Sequence, residues 1–284
     1  MTDVQHIDCT TEEYHARDEW SNSQVKLIPK KVREFYQRHV TKEWIYKPTA
    51  SQKLGTAVHR ILLDGTEVLE IPDEVLSTSG SRAGRAWKEF EAEHTDQVLV
   101  KRGDAESEAI RSMVESVRAE PMAAKLLEAP GWTEHTLVYT DEETGLPLRV
   151  RPDKICEFPD GLVLFDLKTT ENPLDGWDNF GFQAGKFGYH RQDAWYWDAV
   201  DRWKGEGAVA YFVFGAVRNK PPYECVTQEL PERAVDLGRR DNRRALDELK
   251  RRLDSGDWNL PSFGHVPLTD LPERYYHEEK RNYG

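Results

Sequence analysis

Cysteine is scarce: Cys9, Cys156 and Cys225 are widely separated and odd in number. With no Cys-x-x-Cys pair, a zinc ribbon or an iron–sulfur cluster built within one chain is not expected, and free thiols in a reducing compartment are. Long apolar runs are missing too. Leu162 to Phe165 and Ala208 to Phe214 are strand-sized and far too short to cross a bilayer. The first residues, Met1-Thr2-Asp3-Val4, show neither the basic nor the apolar stretch of a signal peptide, so a soluble cytoplasmic protein without a membrane partner is expected. No Gly-x-x-x-x-Gly-Lys-[Ser/Thr] phosphate cradle occurs, which points away from ATP-driven chemistry. Net positive charge is absent as well. The formal charge is −12, which taken alone argues against a nucleic-acid partner.

The distribution of charge says more than the sum. Arg239-Arg240, Arg243-Arg244 and Lys250-Arg251-Arg252 form one basic stretch, and Lys26, Lys30, Lys31, Arg33 and Arg38 another. Each is either a solvated helix face or a phosphate-contacting one. Nine Trp, eleven Tyr and ten Phe in 284 residues are enough for a sizeable core.

Hydrophobic spacing predicts helices from Ser21 through Tyr36, over Leu54 to Leu63, Arg85 to His94, Ala105 to Leu127, Phe187 to Val200 and Pro231 to Leu253. Period-two stretches predict strands over Glu134 to Tyr139, Leu148 to Phe158, Leu162 to Thr169, Ala208 to Val217 and Tyr223 to Leu230. The order implies an α/β fold with a mixed central sheet flanked by helices. Three segments follow: an N-terminal helical region, 1–131; a core, 132–230; and a basic helix with an aromatic tail, 231–284. Together they make one compact domain.

Within the core stand Arg151-Pro152-Asp153 and, thirteen residues after Asp153, Asp166-Leu167-Lys168. Period-two geometry puts Asp166 and Lys168 on one face of a strand and Leu167 on the other. Carboxylates hold a hard cation through oxygen, and a lysine ammonium beside them is a point charge. That set suits metal-dependent hydrolysis of a phosphodiester. Gln192 and Tyr196, four apart, share a helix face. The sequence Phe158-Pro159-Asp160-Gly161-Leu162 suggests a three-residue turn pairing Phe158 with Leu162. Asp153 would then face away from Asp166 unless a bulge or kink near Pro152 restores it.

These motifs resemble the PD-(D/E)XK nuclease superfamily, and in particular its RecB-like branch, where a histidine precedes the core and a Gln-x-x-x-Tyr helix follows it. Tyr14-His15-Ala16, Leu54-Gly55-Thr56-Ala57-Val58-His59, Ala83-Gly84-Arg85-Ala86-Trp87 and Tyr189-His190-Arg191-Gln192 are similar to RecE-type recombination exonucleases of phages and prophages. The resemblance implies metal ligation by His59, Glu134, Asp153, Asp166 and the Leu167 carbonyl. It gives Gln192 and Tyr196 a role in orienting Lys168 or touching DNA. The alternatives are a core histidine at 59, a solvated edge glutamate at 134 and packing for the helix pair. Lys168 positions or deprotonates the attacking water, or stabilises charge in the transition state.

The resemblance further implies Mg²⁺, with Mn²⁺ also supporting activity because imidazole suits it. It implies an enzyme that degrades linear double-stranded DNA from its ends, 5′ to 3′, and leaves 3′ single-stranded tails inside a bacterial host cell. The implied partners are DNA ends, a strand-annealing protein of RecT type, and copies of the chain in a ring of three or four. An endonuclease, a flap nuclease and a non-catalytic annealing protein are the competing readings. The aromatic tail, with Trp258, Phe263, Tyr275 and Tyr276, packs either across subunits or on its own domain.

Overall fold

A computed structural model describes residues 4–174, 176 and 179–259. The N-terminal part holds β1 (Gln5–Ile7), α1 (Thr11–Ala16), β2 (Trp20–Ser21), α2 (Asn22–Val25) and α3 (Ile28–Phe35), then α4 (Ala50–Leu63), β3 (Val68–Glu70), α5 (Arg85–Glu93), β4 (Val98–Val100), α6 (Ala105–Ala119) and α7 (Pro121–Glu128). The core continues with β5 (Gly131–Thr133), β6 (Thr136–Thr140), β7 (Pro147–Val150), β8 (Lys154–Phe158), β9 (Gly161–Thr170), α8 (Asn179–Phe187), α9 (Tyr189–Lys204), β10 (Val209–Arg218), β11 (Cys225–Glu229) and α10 (Glu232–Ser255). The N-terminal region is therefore helical with short strands added, two of which join the sheet formed by β6 and β7.

A five-stranded sheet runs in the order β11-β10-β9-β8-β5, with β9 and β10 parallel and the other neighbours antiparallel. A four-stranded sheet runs β1-β6-β7-β2. This is the mixed α/β architecture that the alternation of elements implied. Strand β9 is apolar on both faces up to Asp166, as a central strand covered on both sides must be. Its even positions, Leu162 and Leu164, pack in a core with Trp195, Phe212 and Leu246 from the α9–α10 side. Its odd positions, Phe165 and Leu167, pack with Val58, Met113 and Val117 from α4 and α6. Asp166 interrupts the first layer at the point where the α9 side chains reach it.

Several elements depart from the pattern read in the sequence, each for a local reason. The strand expected over Leu148 to Phe158 is two strands in two different sheets, interrupted at Arg151-Pro152-Asp153. Pro152 has no N–H for a ladder, so the chain leaves one sheet there and enters the other. The turn after β8 has two residues rather than three: Phe158 pairs with Gly161, whose φ is +132°. Glycine adopts that backbone without strain. The helix expected over Ala105 to Leu127 breaks before Pro121, and Glu120 both ends α6 and caps α7 by accepting the Ala123 N–H at 2.5 Å. Gly188, at φ +74°, separates α8 from α9.

Trp258 folds back on its own chain, with its ring 5.7 Å from Phe35 and 5.1 Å from Tyr36. Phe263, Tyr275 and Tyr276 lie outside the described residues.

Candidate active site

The two-residue turn decides where the carboxylates go. With Phe158 opposite Gly161, the last ladder pair is Lys154 with Phe165, and Asp153 falls one residue beyond it, opposite Asp166. Directly opposed residues of an antiparallel pair share a face. No bulge is needed to bring the two carboxylates together, and the kink at Pro152 serves the change of sheet instead. The Asp153 carboxylate Oδ2 accepts the backbone N–H of Leu167 at 2.7 Å.

Glu134 arrives by the same device on the neighbouring segment. It lies between β5 and β6, which belong to the two different sheets, and its φ of +49° is strained for a residue other than glycine. Its N–H donates to the Asp153 carbonyl at 2.9 Å. The double crossing from sheet to sheet thus sets Glu134 beside Asp153.

His59 comes from the opposite helical layer. Thr49 caps α4 through a reciprocal pair with Gln52, at 3.2 and 2.9 Å, an arrangement worth about 1 kcal/mol. Ten residues on, the His59 Nε2 donates to the Leu167 carbonyl at 2.7 Å, and its Nδ1 lies 3.5 Å from Asp153 Oδ2. Gly55 permits this approach. A Cβ there would sit 2.7 Å from the Thr169 hydroxyl on β9. The Gly-x-x-x-His spacing in the sequence is therefore a close helix–strand contact followed, one helical turn later, by the side chain it delivers.

Asp166 is 1% exposed. One of its oxygens accepts from Gln192 Nε2 at 2.6 Å, and the other is ion-paired with Lys168 Nζ. Tyr196 lies beside Gln192 on the same face of α9, and burial drives its pKa well above the usual phenol value. Burial and the Asp153 charge push Asp166 up to about 6, against the pull of Lys168. Burial opposes the Lys168 ammonium, but Asp166 and Asp153 outweigh it and hold its pKa above the ordinary value. The ammonium also lies over the Tyr189 ring at 5.2 Å. Burial, followed by the Asp153 charge, raises Glu134 to about 8 even though Arg151 Nε is 2.7 Å from its Oε2.

His59, Glu134 and Asp153 each offer one ligand atom, and those atoms lie within 4.8 Å of one another. The donor set, two carboxylates and an imidazole, fits a divalent ion of the Mg²⁺ or Mn²⁺ kind. Repulsion among Glu134, Asp153 and Asp166 is the electrostatic counterpart, because a cation there would relieve it. The Leu167 carbonyl is on the same edge, engaged by His59. Asp166 is adjacent but outside the three-residue group, committed to Gln192 and Lys168.

Some neighbours stood in the sequence motifs without a role in the site assigned to them. Arg151 is ion-paired with Glu134, and the Tyr14 ring lies 5.4 Å from the Arg151 guanidinium. Lys26 on the first basic stretch donates to the Phe187 carbonyl at 3.1 Å, and burial plus nearby Lys168 and Arg191 lower it to about 8. Its signal, a lysine in a run of cations, does not say which cation turns inward. Arg191 is locked by Asn242 Oδ1 at 3.0 Å, while Asn242 and Asn22 both donate to the Arg191 carbonyl. Gly238 lets α10 lie against α9 there, since a Cβ would meet the His190 carbonyl oxygen at 2.1 Å. This clamp fixes the helix that carries Gln192.

The second basic stretch is largely neutralised within the chain. Arg239 pairs with Asp198 and Asp236, and Arg243 with Asp141, Glu143 and Asp247. Arg240 and Arg244 are exposed and form no ion pair among the described residues.

A mixed sheet with helices on both faces and an acidic, lysine-bearing edge defines a PD-(D/E)XK-like fold. The family described as a PDDEXK-like domain of unknown function (DUF3799) matches residues 21–260, and the chain belongs to it. A crystal structure from Eubacterium rectale, described as a "Putative exonuclease", aligns with a TM-score of 0.61 over 95% of this chain and 98% of that one, at 12% identity. That likeness is one of fold. SSO0001 aligns with a TM-score of 0.28 at 11% identity, over 70% of this chain and 88% of that one. VC1899 from Vibrio cholerae gives 0.24 at 10% identity, over 91% and 60%. No curated protein matches the sequence. Family and fold together support a nuclease. Among the described residues no helix is long and apolar enough to cross a membrane.

Proposed function

We propose that the protein is a metal-dependent, ATP-independent exodeoxyribonuclease that degrades linear double-stranded DNA 5′ to 3′ and leaves 3′ tails for recombination. One observation carries the nuclease reading. Asp153 and Asp166 stand opposite each other at a strand end, with Lys168 paired to Asp166 and His59 and Glu134 grouped with Asp153.

His59, Glu134 and Asp153 would hold a divalent ion, with Asp166 and the Leu167 carbonyl beside it. When bound, the ion supplies Lewis acidity toward the phosphate and activates water for attack. Lys168 is held charged by Asp166 and presents its ammonium to the phosphate, where negative charge develops. Gln192 fixes the Asp166 carboxylate, and Tyr196 lies beside Gln192. Mg²⁺ is the proposed ion, with Mn²⁺ as an effective substitute.

The recombination role rests on the RecE-like motifs, as do a RecT-type annealing partner and a ring of three or four subunits. In a closed ring, topological capture would substitute for a strong electrostatic grip, which suits a chain of charge −12. Digestion of end-labelled linear duplex beside a covalently closed circle tests the activity. The expected result is release of the 5′ label, a growing 3′ tail and an intact circle. Cleavage of the circle would make the enzyme an endonuclease.

A further inference from the structure

Asp193 follows Gln192 on α9 and lines a separate cavity of about 430 Å³, bounded by the start of β10, the end of β11 and the first turns of α10. Asp193 as a residue is 1% exposed, and its Oδ1 is buried without a hydrogen-bond partner. A buried carboxylate with no donor is strongly disfavoured, so an unmatched one calls for an explanation. Burial pushes Asp193 up to about 8, with Arg239 pulling the other way. Arg239 does not satisfy it. That guanidinium donates to Asp198 at 3.0 Å and Asp236 at 3.1 Å.

Glu229 and Glu232 line the same cavity, so three carboxyl groups meet a single cation that is already committed elsewhere. Trp197 and Tyr211 line it as well, and Tyr211 is 55% exposed. Aromatic faces attract organic cations, and carboxylates take guanidinium or ammonium groups through charge-assisted hydrogen bonds. A hard metal ion would find carboxylate oxygens here but no benefit from the aromatic side chains.

We propose that this cavity binds a side-chain-sized organic cation, a guanidinium or primary ammonium on an aliphatic stem, with Asp193 as its buried counter-charge. The proposal does not rest on the nuclease reading, because none of these residues belongs to the group at Asp153. An arginine or lysine side chain of a protein partner and a free diamine share the required chemistry.

Calorimetric titration of the full chain tests it, with N-acetyl-arginine methylamide, N-acetyl-lysine methylamide and putrescine as probes and N-acetyl-citrulline methylamide as the uncharged control. Saturable binding of at least one cation, none of citrulline, and a loss of about ten-fold or more in Asp193→Asn or Glu229→Gln support the site. Preference for an amino-acid amide assigns a protein side chain, and preference for putrescine a free diamine. Should Asp193→Asn fail to fold, Glu229→Gln decides alone. Absence of saturable binding in the millimolar range for every cation overturns the proposal, as does affinity undiminished in folded variants.

Discussion

The carboxylate of Asp153 accepts the backbone N–H of Leu167, the residue that separates Asp166 from Lys168 on the adjacent strand. This bond ties the end of β8 to the working part of β9, and Asp153 stands opposite Asp166 because the intervening turn has two residues. A one-residue slip would have sent the two carboxylates to opposite faces of the sheet. The register of a single hairpin thus sets the geometry of the candidate site.

Removing Asp166 is informative only if its burial is respected. Asp166→Ala leaves Lys168 buried without its partner, a change that typically costs 3–5 kcal/mol, roughly, in buried pairs. Asp166→Asn keeps the shape and a hydrogen bond to Gln192. The amide still removes the Lys168 counter-charge, so the cleavage rate is expected to fall by two orders of magnitude or more, roughly, and the melting temperature to fall by less than in Asp166→Ala. Initial rates and thermal unfolding of the purified variant check both halves.

Lys168→Ala is expected to abolish cleavage while metal binding, measured by titration calorimetry with Mn²⁺, persists. Loss of the ammonium leaves Asp166 and Asp153 less compensated, so affinity for a cation should hold or rise. Full activity of this variant would remove Lys168 from the chemistry.

Gly55→Ala places a methyl 2.7 Å from the Thr169 hydroxyl, and α4 must move away from β9 or Thr169 must shift. Overpacking of this kind costs about 1–3 kcal/mol. The His59 side chain would withdraw with the helix. Weaker Mn²⁺ binding is expected in Gly55→Ala, with recovery in the double variant carrying Thr169→Ala, which frees the contested space.

Glu134 gives a pH dependence of defined sign. Its folded-state pKa is raised, so the folded chain binds this proton more tightly than the unfolded chain does. The associated stability is fully present below the ordinary glutamate value and is lost as pH rises through about 8. Metal-free protein should therefore lose melting temperature between pH 5 and pH 9 through this group, in pH values chosen to bracket about that window. Added Mg²⁺ or Mn²⁺ should raise the melting temperature more at the alkaline end, where ligands need not be deprotonated. A metal-induced shift independent of pH would contradict the ligand role of Glu134.

On α10, Arg239 and Arg243 are spent on acids of the chain, whereas Arg240 and Arg244 are exposed. If the helix touches phosphate, Arg240→Ala with Arg244→Ala should flatten the salt dependence of duplex binding by nearly two in the logarithmic slope, about 0.9 for each lost contact. An unchanged slope identifies a solvated face.

Residue types and their order were legible in the sequence because they follow from spacing along one strand or one helix. Asp166 with Lys168, and Gln192 with Tyr196, are such pairs. The mixed sheet was legible for the same reason, from alternating periods. Relationships between strands were not. Hydrophobic alternation in β8 and β9 does not distinguish a two-residue from a three-residue turn, and it does not reveal that the chain changes sheets at Pro152 and at Glu134. Nor does a run of arginines disclose its partners. Asp141 and Asp198, distant in sequence, consume charge that the run alone seemed to offer to DNA.

The most direct test of the central claim is release of acid-soluble nucleotide from linear duplex DNA by wild-type protein and by Asp153→Asn, each with Mg²⁺ and with chelator. The account predicts release by wild type with Mg²⁺ alone, and none from the variant, whose melting curve should still show a folded protein. Release that survives chelation, or an equal rate from folded Asp153→Asn, would contradict it.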